Sequence, residues 1–391
     1  MLSEKSRPII EATAPVIAAR IPEITPQFYK RMFSARPDLL DGMFSRSNQR
    51  TGEQPQALAG SIVNFATHLL NHPGTYPEAV LSRIAHKHAA LGLTPDEYPT
   101  VYEHLFAAIA ADLGDAATPE VVEAWTEVYW LMGDTLIERE KALYASQAND
   151  VMFAPWKVVE RRETGGGNVL VFTFEPADDT PVTPARPGQY VTIQTMMPDG
   201  IRQPRQYTLV PADPNQRRLA IKIDPEGEVT PLLQKNLQVG DVVELSNPYG
   251  DLVLRESDEP LVLVSAGIGV TPILALMDAV RTTNPEREVL VVHADRSAEA
   301  WPLAEEMKEL VAELPNTKLV TFFEKAGDGD HDGYLDVGVL DLPEGANVVL
   351  CGPFPFLQHA REGLVGAGVP SDRVSYEIFG PDIWQVQGEV A

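Results

Sequence analysis

The sequence predicts three successive modules: an all-α domain, an antiparallel β-barrel, and an α/β nucleotide-binding domain. Three observations carry this. Apolar residues recur at three- and four-residue spacing up to about residue 148, short alternating runs bounded by Gly and Pro follow from Val151, and from about residue 259 continuous apolar runs alternate with helical stretches. A chain of 391 residues suits two or three domains.

With 44% hydrophobic and 22% charged residues, the chain has material for packed cores and no signature of disorder. A net charge of -25 weighs against nucleic acid or an anionic membrane as partner. Glu4, Lys5, Arg7, Glu11, Arg20 and Glu23 interrupt the first stretch, so it is no signal-peptide core. No later run reaches the roughly 18 apolar residues of a membrane span. The single cysteine, Cys351, excludes an internal disulfide and a thiolate-rich metal site. The expectation is a cytoplasmic protein without an integral membrane segment or an obligate protein partner.

Within residues 1–148, helices are expected between joints at Ala35-Arg36-Pro37, Asn71-His72-Pro73-Gly74, Leu93-Thr94-Pro95 and Ala117-Thr118-Pro119. Thr94 and Thr118 suit N-caps with proline at the first helical position. Five to seven helices without β signals fit a globin-like packing around a pocket. One run, Arg83-Ile84-Ala85-His86-Lys87-His88-Ala89-Ala90-Leu91, carries two histidines. They stand two residues apart, about 200° around a helix, and cannot serve one metal. Ile84 and Leu91 place His88 on the apolar stripe, leaving His86 on the polar side with Arg83. A histidine on an apolar face is by default a satisfied core residue, but imidazole is also a common iron ligand. His68 and His72, four apart at a helix end, read as surface residues.

Pro26-Gln27-Phe28-Tyr29-Lys30-Arg31-Met32-Phe33, Met43-Phe44-Ser45-Arg46-Ser47-Asn48-Gln49-Arg50, Gly52-Glu53-Gln54 and Ile84-Ala85-His86-Lys87-His88 together resemble the globin domain of bacterial flavohaemoglobins. The resemblance implies His88 as the haem iron ligand, Tyr29 and Gln54 in distal roles, and Phe44 and Leu58 lining the haem. It pairs His88 with Tyr98 and Glu140. A carboxylate accepting the second ring N–H orients a ligating histidine and strengthens its donation. Glu138 competes with Glu140 for that place on position alone.

Beyond Val151, strands are expected at Trp156–Glu160, Val169–Phe174, Tyr190–Ile193, Leu219–Ile223 and Asp241–Leu245. Gly165-Gly166-Gly167, Arg186-Pro187-Gly188 and Val239-Gly240 separate them. About six short strands predict a small antiparallel barrel. Arg205-Gln206-Tyr207-Thr208, after Gln189-Tyr190, resembles the flavin-binding signature of the ferredoxin reductase superfamily. That resemblance assigns Arg205 to the pyrophosphate, and Tyr207 and Thr208, with Tyr190 and Gln206 beside them, to the flavin. Arginine's planar fork suits phosphate. Gly227, Val229 and Thr230 occupy the family's phosphate-binding turn, though Asp224-Pro225-Glu226 is less basic than the usual form.

Pro260–Ser265 reads as a buried parallel strand leading into Gly267-Ile268-Gly269-Val270-Thr271-Pro272 and a helix. Glycines at such a turn let backbone amides approach a pyrophosphate. Glu288–His293 and Val348–Leu350 give further strands, the latter running into Cys351-Gly352-Pro353. Cys351 has no partner base and reads as a packing residue near a nicotinamide. In the resemblance, Glu377-Ile378-Phe379-Gly380-Pro381 contributes an aromatic, Phe379, over the flavin, with Glu377 and Lys87 toward the gap between flavin and haem. Asp295 disfavours a 2′-phosphate on the dinucleotide and Arg296 welcomes one, so both NADH and NADPH stay open.

The resemblance therefore implies a globin domain binding haem b (1–148), an FAD-binding barrel (151–258) and an NAD(P)-binding α/β domain (259–391). It implies NAD(P)H reducing FAD, FAD reducing haem iron, and O2 and nitric oxide reacting there to nitrate. An alkylhydroperoxide or ferric reductase, or a non-enzymatic oxygen or nitric oxide sensor, are the alternatives. A fused reductase argues against the sensor.

Overall fold

The computed structural model describes residues 1–46 and 53–380, with residues 53–57 and 59 described by backbone alone. Ser47–Arg50, Pro381 and the tail to Ala391 lie outside the described residues, as does the side chain of Gln54. The chain divides into two compact units. One holds Met1–Asp150 with Met196–Pro204 and Gly380, the other Val151–Thr195 and Arg205–Phe379.

The first unit is helical: α1 (Arg7–Ala35), α2 (Glu53–Asn71), α3 (Glu78–Leu91), α4 (Glu97–Leu113) and α5 (Pro119–Ala145). α1 runs through Pro15, Pro22 and Pro26, each of which removes a backbone hydrogen bond. Its buried face, Ile10, Ala14, Ile17, Ile21, Ile24, Phe28 and Met32, stays continuous at three- and four-residue spacing. Core packing therefore outweighs the local propensity. Thr118 caps α5 as expected, accepting the Val121 N–H at 3.4 Å. Thr94 does not cap a helix beginning at Pro95. Glu97 captures both the Thr94 N–H and its hydroxyl at 2.7 Å, and this turn delays α4 to Glu97.

The second unit carries two sheets. β1 (Phe153–Thr164), β2 (Val169–Pro176), β3 (Tyr190–Met196), β4 (Arg202–Thr208), β5 (Arg217–Lys222) and β6 (Val242–Ser246) form a sheet of order β4-β3-β6-β1-β2-β5. The β1–β2, β1–β6, β2–β5 and β3–β6 pairs are antiparallel. An isolated antiparallel bridge from Leu209, just past β4, to Leu219 of β5 joins the two edges, as barrel closure requires. A short helix, α6 (Thr230–Asn236), lies between β5 and β6 in the chain.

The other sheet comprises β7 (Leu261–Ala266), β8 (Val289–Asp295), β9 (Thr317–Phe323), β10 (His331–Asp332), β11 (Asn347–Cys351) and β12 (Val374–Glu377). They are parallel, in the order β10-β9-β8-β7-β11-β12. The helices are α7 (Val270–Thr283), α8 (Ala304–Glu313) and α9 (Phe354–Gly366). The chain moves outward from β7 to β10 and then returns to the other side of β7, so the strand order reverses between β7 and β11. Open α/β sheets bind ligands at such a switch point, beyond the carboxyl ends of the strands. One apolar cluster runs from Val171 and Ala220 of the first sheet to Leu263 and Val291 of the second and Leu276 of α7, so both sheets share a core.

Candidate functional site

Three helices of the first unit bring His88, Tyr98 and Glu140 together. Glu140 Oε1 lies 2.7 Å from His88 Nδ1 and accepts the Tyr98 O–H at 2.6 Å, while Tyr98 Oη is 3.2 Å from the same ring nitrogen. Glu140 is 2% exposed and Glu138 is exposed, which separates the two carboxylates. A carboxylate acceptor fixes the proton on Nδ1 and leaves the Nε2 lone pair as the ligating atom, the arrangement a metal-bound histidine requires. Burial, then the Glu140 charge, pushes the Tyr98 phenol well above its ordinary range, so it stays a donor. The unforeseen member is Tyr129, whose hydroxyl donates to the Tyr98 carbonyl at 2.7 Å. It precedes Glu140 by about three helical turns on one face of α5, the only signal that could have found it. His86 and His88 are both half-buried, and His88 is the one that meets Glu140 and Tyr98.

Tyr29, Phe44 and Leu58 fall in one apolar cluster with Phe28 and Phe33. The Tyr29 ring lies 4.6 Å from Phe28, 5.5 Å from Phe33 and 6.0 Å from Phe44, edge-on to the last. Its hydroxyl is buried and has no hydrogen-bond partner among the described residues. Burial raises its pKa strongly, which keeps the proton in place. A buried donor without a partner costs free energy, and a polar ligand would satisfy it. These residues fit a haem pocket. The His68 and His72 rings lie 4.8 Å apart, tilted by 39°, with His72 exposed and His68 Nε2 3.1 Å from Thr75 Oγ1.

In the second unit, Arg205, Gln206, Tyr207 and Thr208 end strand β4, a polar run that alternation alone did not mark as a strand. The Tyr207 hydroxyl is buried without a partner among the described residues, and burial holds it protonated. Tyr190 starts β3, exchanging both backbone bonds with Tyr249. Thr230 accepts the Asp224 N–H at 2.9 Å and donates back to its carbonyl at 3.3 Å, closing a loop over Gly227. A Cβ on Gly227 would stand 3.1 Å from Asp224 Oδ2, so the loop packs against glycine backbone. Val229 is buried beneath it. Asp224 is thus occupied in shaping the turn, and Arg205 and Tyr207 of β4 are both half-buried.

At the switch point, Gly267-Ile268-Gly269 links β7 to α7 with Gly267 at φ +53°. A Cβ on Gly269 would fall 2.3 Å from the Cys351 carbonyl oxygen, so only glycine allows β11 this close. Thr271 locks the turn through a 3.0 Å bond to the Ile268 carbonyl, with Val270 and Pro272 buried beside it. Cys351 ends β11 opposite, and Gly352 and Pro353 lead into α9. The turn fits a dinucleotide pyrophosphate. Cys351 is fully buried, and burial followed by the Glu377 charge pushes its thiol well up, which removes it as a nucleophile. Glu377, its register partner on β12, and Ile378 are buried, whereas Phe379 is 48% exposed. Within the first unit, Lys87 Nζ donates to the Gly380 carbonyl at 2.7 Å.

Comparison with known proteins agrees with this reading. The Globin family matches residues 26–136, the oxidoreductase FAD-binding domain 157–254 and the oxidoreductase NAD-binding domain 263–362. A flavohemoprotein of Rhizobium meliloti (strain 1021) is 36% identical, covering 98% of this chain and 100% of its own. A crystal structure of flavohemoglobin from Malassezia yamatoensis with bound FAD and heme is 53% identical. It superposes with a TM-score of 0.94 over 97% of this chain and all of its own. The FAD/NAD-binding domain of nitric oxide dioxygenase from Vibrio cholerae O1 biovar El Tor is 32% identical over 59% of this chain and 100% of its own, with a TM-score of 0.55.

A globin unit joined to an antiparallel flavin-binding sheet and a parallel nucleotide-binding sheet defines an oxidoreductase that uses haem, FAD and NAD(P)H. The chain belongs to the flavohaemoglobin (flavohemoprotein) family. Among the described residues, no helix is long and apolar enough to cross a membrane.

Proposed function

We propose that this chain is a cytoplasmic NAD(P)H-dependent nitric oxide dioxygenase, turning O2 and nitric oxide into nitrate. The bound groups supply the redox chemistry: hydride from the dinucleotide to the flavin, single electrons to iron, and reaction of the two gases at the iron. The observation that carries the reading is the Tyr29 hydroxyl, buried without a partner among the described residues, in the same unit as the His88–Glu140–Tyr98 group. It is a protonated donor, and a donor of this kind stabilises negative charge developing on a small oxygen ligand. The Vibrio cholerae relative is itself a nitric oxide dioxygenase by name.

In this reading His88 would hold the iron through Nε2, with Glu140 accepting from Nδ1 and making the ring a stronger donor. Tyr98 orients Glu140. Tyr29 would be the distal donor and Phe44 and Leu58 would line the porphyrin, while Gln54 keeps its distal role from the family resemblance alone. Arg205 takes the flavin pyrophosphate, Tyr207 and Thr208 the ring system, and Phe379 covers it. Gly267–Pro272 and Cys351–Pro353 cradle the dinucleotide. The His88–Glu140 bond would strengthen donation from the ring to a bound iron, which supports alkylhydroperoxide reduction as a second reading.

The test is NADH oxidation by the haem- and flavin-loaded protein with each acceptor. The proposal expects oxidation that accelerates with nitric oxide only when O2 is present. Acceleration by alkylhydroperoxide or ferric iron, with nitric oxide inert, would contradict it.

A further inference from the structure

We propose that Arg202 and Gln203 are positioning residues for the small ligand at the haem: they hold residues 41–46 at both ends and so set Phe44 against Tyr29. The inference rests on the reading of Tyr29 and Phe44 as the distal side of the haem pocket. Both positioning residues, and everything they hold, lie in the first unit, which takes in Met196–Pro204 as well as the helices.

Residues 41–45 form neither helix nor strand. Such a stretch makes few hydrogen bonds within itself, so its place is set by what it lies against. Here that is the turn after β3, built on Asp199-Gly200. Met197 N–H donates to the Ile201 carbonyl at 3.0 Å, and Gly200 N–H to the Met197 carbonyl at 2.9 Å. The next residue, Arg202, grips Asp41. Its backbone N–H and Nε donate to Oδ1 at 2.8 and 3.1 Å, and its Nη2 donates to Oδ2 at 2.9 Å. Its carbonyl accepts the Gly42 N–H at 2.9 Å. Gln203 is fully buried, and its Oε1 accepts the Arg46 backbone N–H at 2.9 Å. Its Nε2 donates to the Arg202 carbonyl at 3.0 Å and reaches the Leu40 carbonyl at 3.5 Å. Asp199 pairs with the Arg46 guanidinium at 2.6 Å. The stretch is therefore pinned at Asp41 and Gly42 and again at Arg46.

Between the pins stands Phe44. Its ring lies 5.2 Å from Phe33 and 6.0 Å from Tyr29, edge-on to both. Edge-to-face pairs have a preferred orientation, so a shift of the Phe44 backbone is felt at the Tyr29 ring. Leu39 and Met43 belong to the same apolar cluster. The Asp41–Arg202 pair is exposed and adds little to stability. What it fixes is direction, because a forked pair of N–H···O bonds admits one geometry. The guanidinium also holds the Asp41 carboxyl below its ordinary pKa, so the pair is charged at neutral pH. A buried amide such as Gln203 is costly unless its groups are bonded, and its bonds go to the backbone of the stretch it holds and of its neighbour Arg202.

The experiment uses the full chain loaded with haem and flavin, reduced, with carbon monoxide as the probe. The C–O stretching band reports the surroundings of the ligand, and flash photolysis gives its rebinding rate. Wild type should show one dominant band. Arg202→Ala and Gln203→Ala should each shift or split it and change rebinding about threefold or more. Arg202→Lys keeps the charge and the backbone N–H but loses the fork, and should fall between wild type and Arg202→Ala. Arg36→Ala breaks an ion pair with Asp38 that does not involve the turn, and should leave band and rate as in wild type. The Arg202 variants alter an exposed pair and should fold even where Gln203→Ala does not. A wild-type band and rate in Arg202→Ala overturns the positioning inference while the haem pocket stands. Phe44→Leu separates the two readings, since an unmoved band there overturns the distal reading itself.

Discussion

Glu140 Oε1 accepts from His88 Nδ1 at 2.7 Å and from the Tyr98 hydroxyl at 2.6 Å, so donors from α3 and α4 converge on one oxygen of a carboxylate buried on α5. The group is assembled across three helices around a buried carboxylate. Glu140→Gln keeps the shape and replaces an anionic acceptor with a neutral one. Haem should stay bound while His88 donates less to iron. The ferrous iron–histidine stretching frequency should fall, and an unchanged frequency would mean that Glu140 has no hold on the ligand.

His88→Ala should abolish stable haem, whereas His86→Ala, two residues away on another face, should retain it. The Soret absorbance of each purified variant reads this. Loss in His86→Ala alone would shift the assignment to the neighbouring histidine.

Tyr29→Phe removes only a hydroxyl that is buried without a partner among the described residues. Two opposite effects follow. The haem-free protein should gain about 1 kcal/mol in urea unfolding, since a buried unsatisfied donor is removed. The loaded protein should release oxygen roughly tenfold faster, as a hydrogen bond to a charged acceptor contributes about 1.5–3 kcal/mol. Stopped-flow oxygen release measures the second, and an unaltered rate would leave Tyr29 a packing residue.

Glu306 on α8 pairs with Arg162 of β1 and Arg218 of β5. Burial pushes its carboxyl up, but its own backbone N–H and the two guanidiniums hold it below the ordinary range. A depressed carboxylate pKa contributes stability that is present above the unfolded value and is lost as pH falls through the folded value. Glu306→Gln should therefore cost the second unit about 1–2 kcal/mol at neutral pH. That difference should shrink below about pH 4.5. Urea unfolding at pH 7 and pH 3.5 compares them, and a difference constant with pH would show that the charge plays no part.

Much of the fold was legible because its joints carry proline and glycine. The helix boundaries at Pro37, Pro73 and Pro119, and the strand-turn-helix at Gly267–Pro272, are chemically marked. α1 was not, since Pro15, Pro22 and Pro26 announce breaks that the buried isoleucine face overrides. β4 was hidden by its polar composition, Arg202 to Thr208. Helical phase separated His88 from His86 only in direction, and position alone left Glu138 level with Glu140. Depth resolved the glutamates and hydrogen bonds the histidines. The contact of Ser265 Oγ with His293 Nδ1 at 2.9 Å depends on the register of β7 against β8 and has no local signal.

The central claim is that both atoms of one O2 molecule end in nitrate. The direct measurement supplies 18O-labelled O2, unlabelled nitric oxide and NADH to the haem- and flavin-loaded protein, and weighs the nitrate by mass spectrometry. The account predicts nitrate carrying two heavy oxygens, formed in step with NADH consumption. Unlabelled product, or nitric oxide consumed at the same rate without O2, would contradict it.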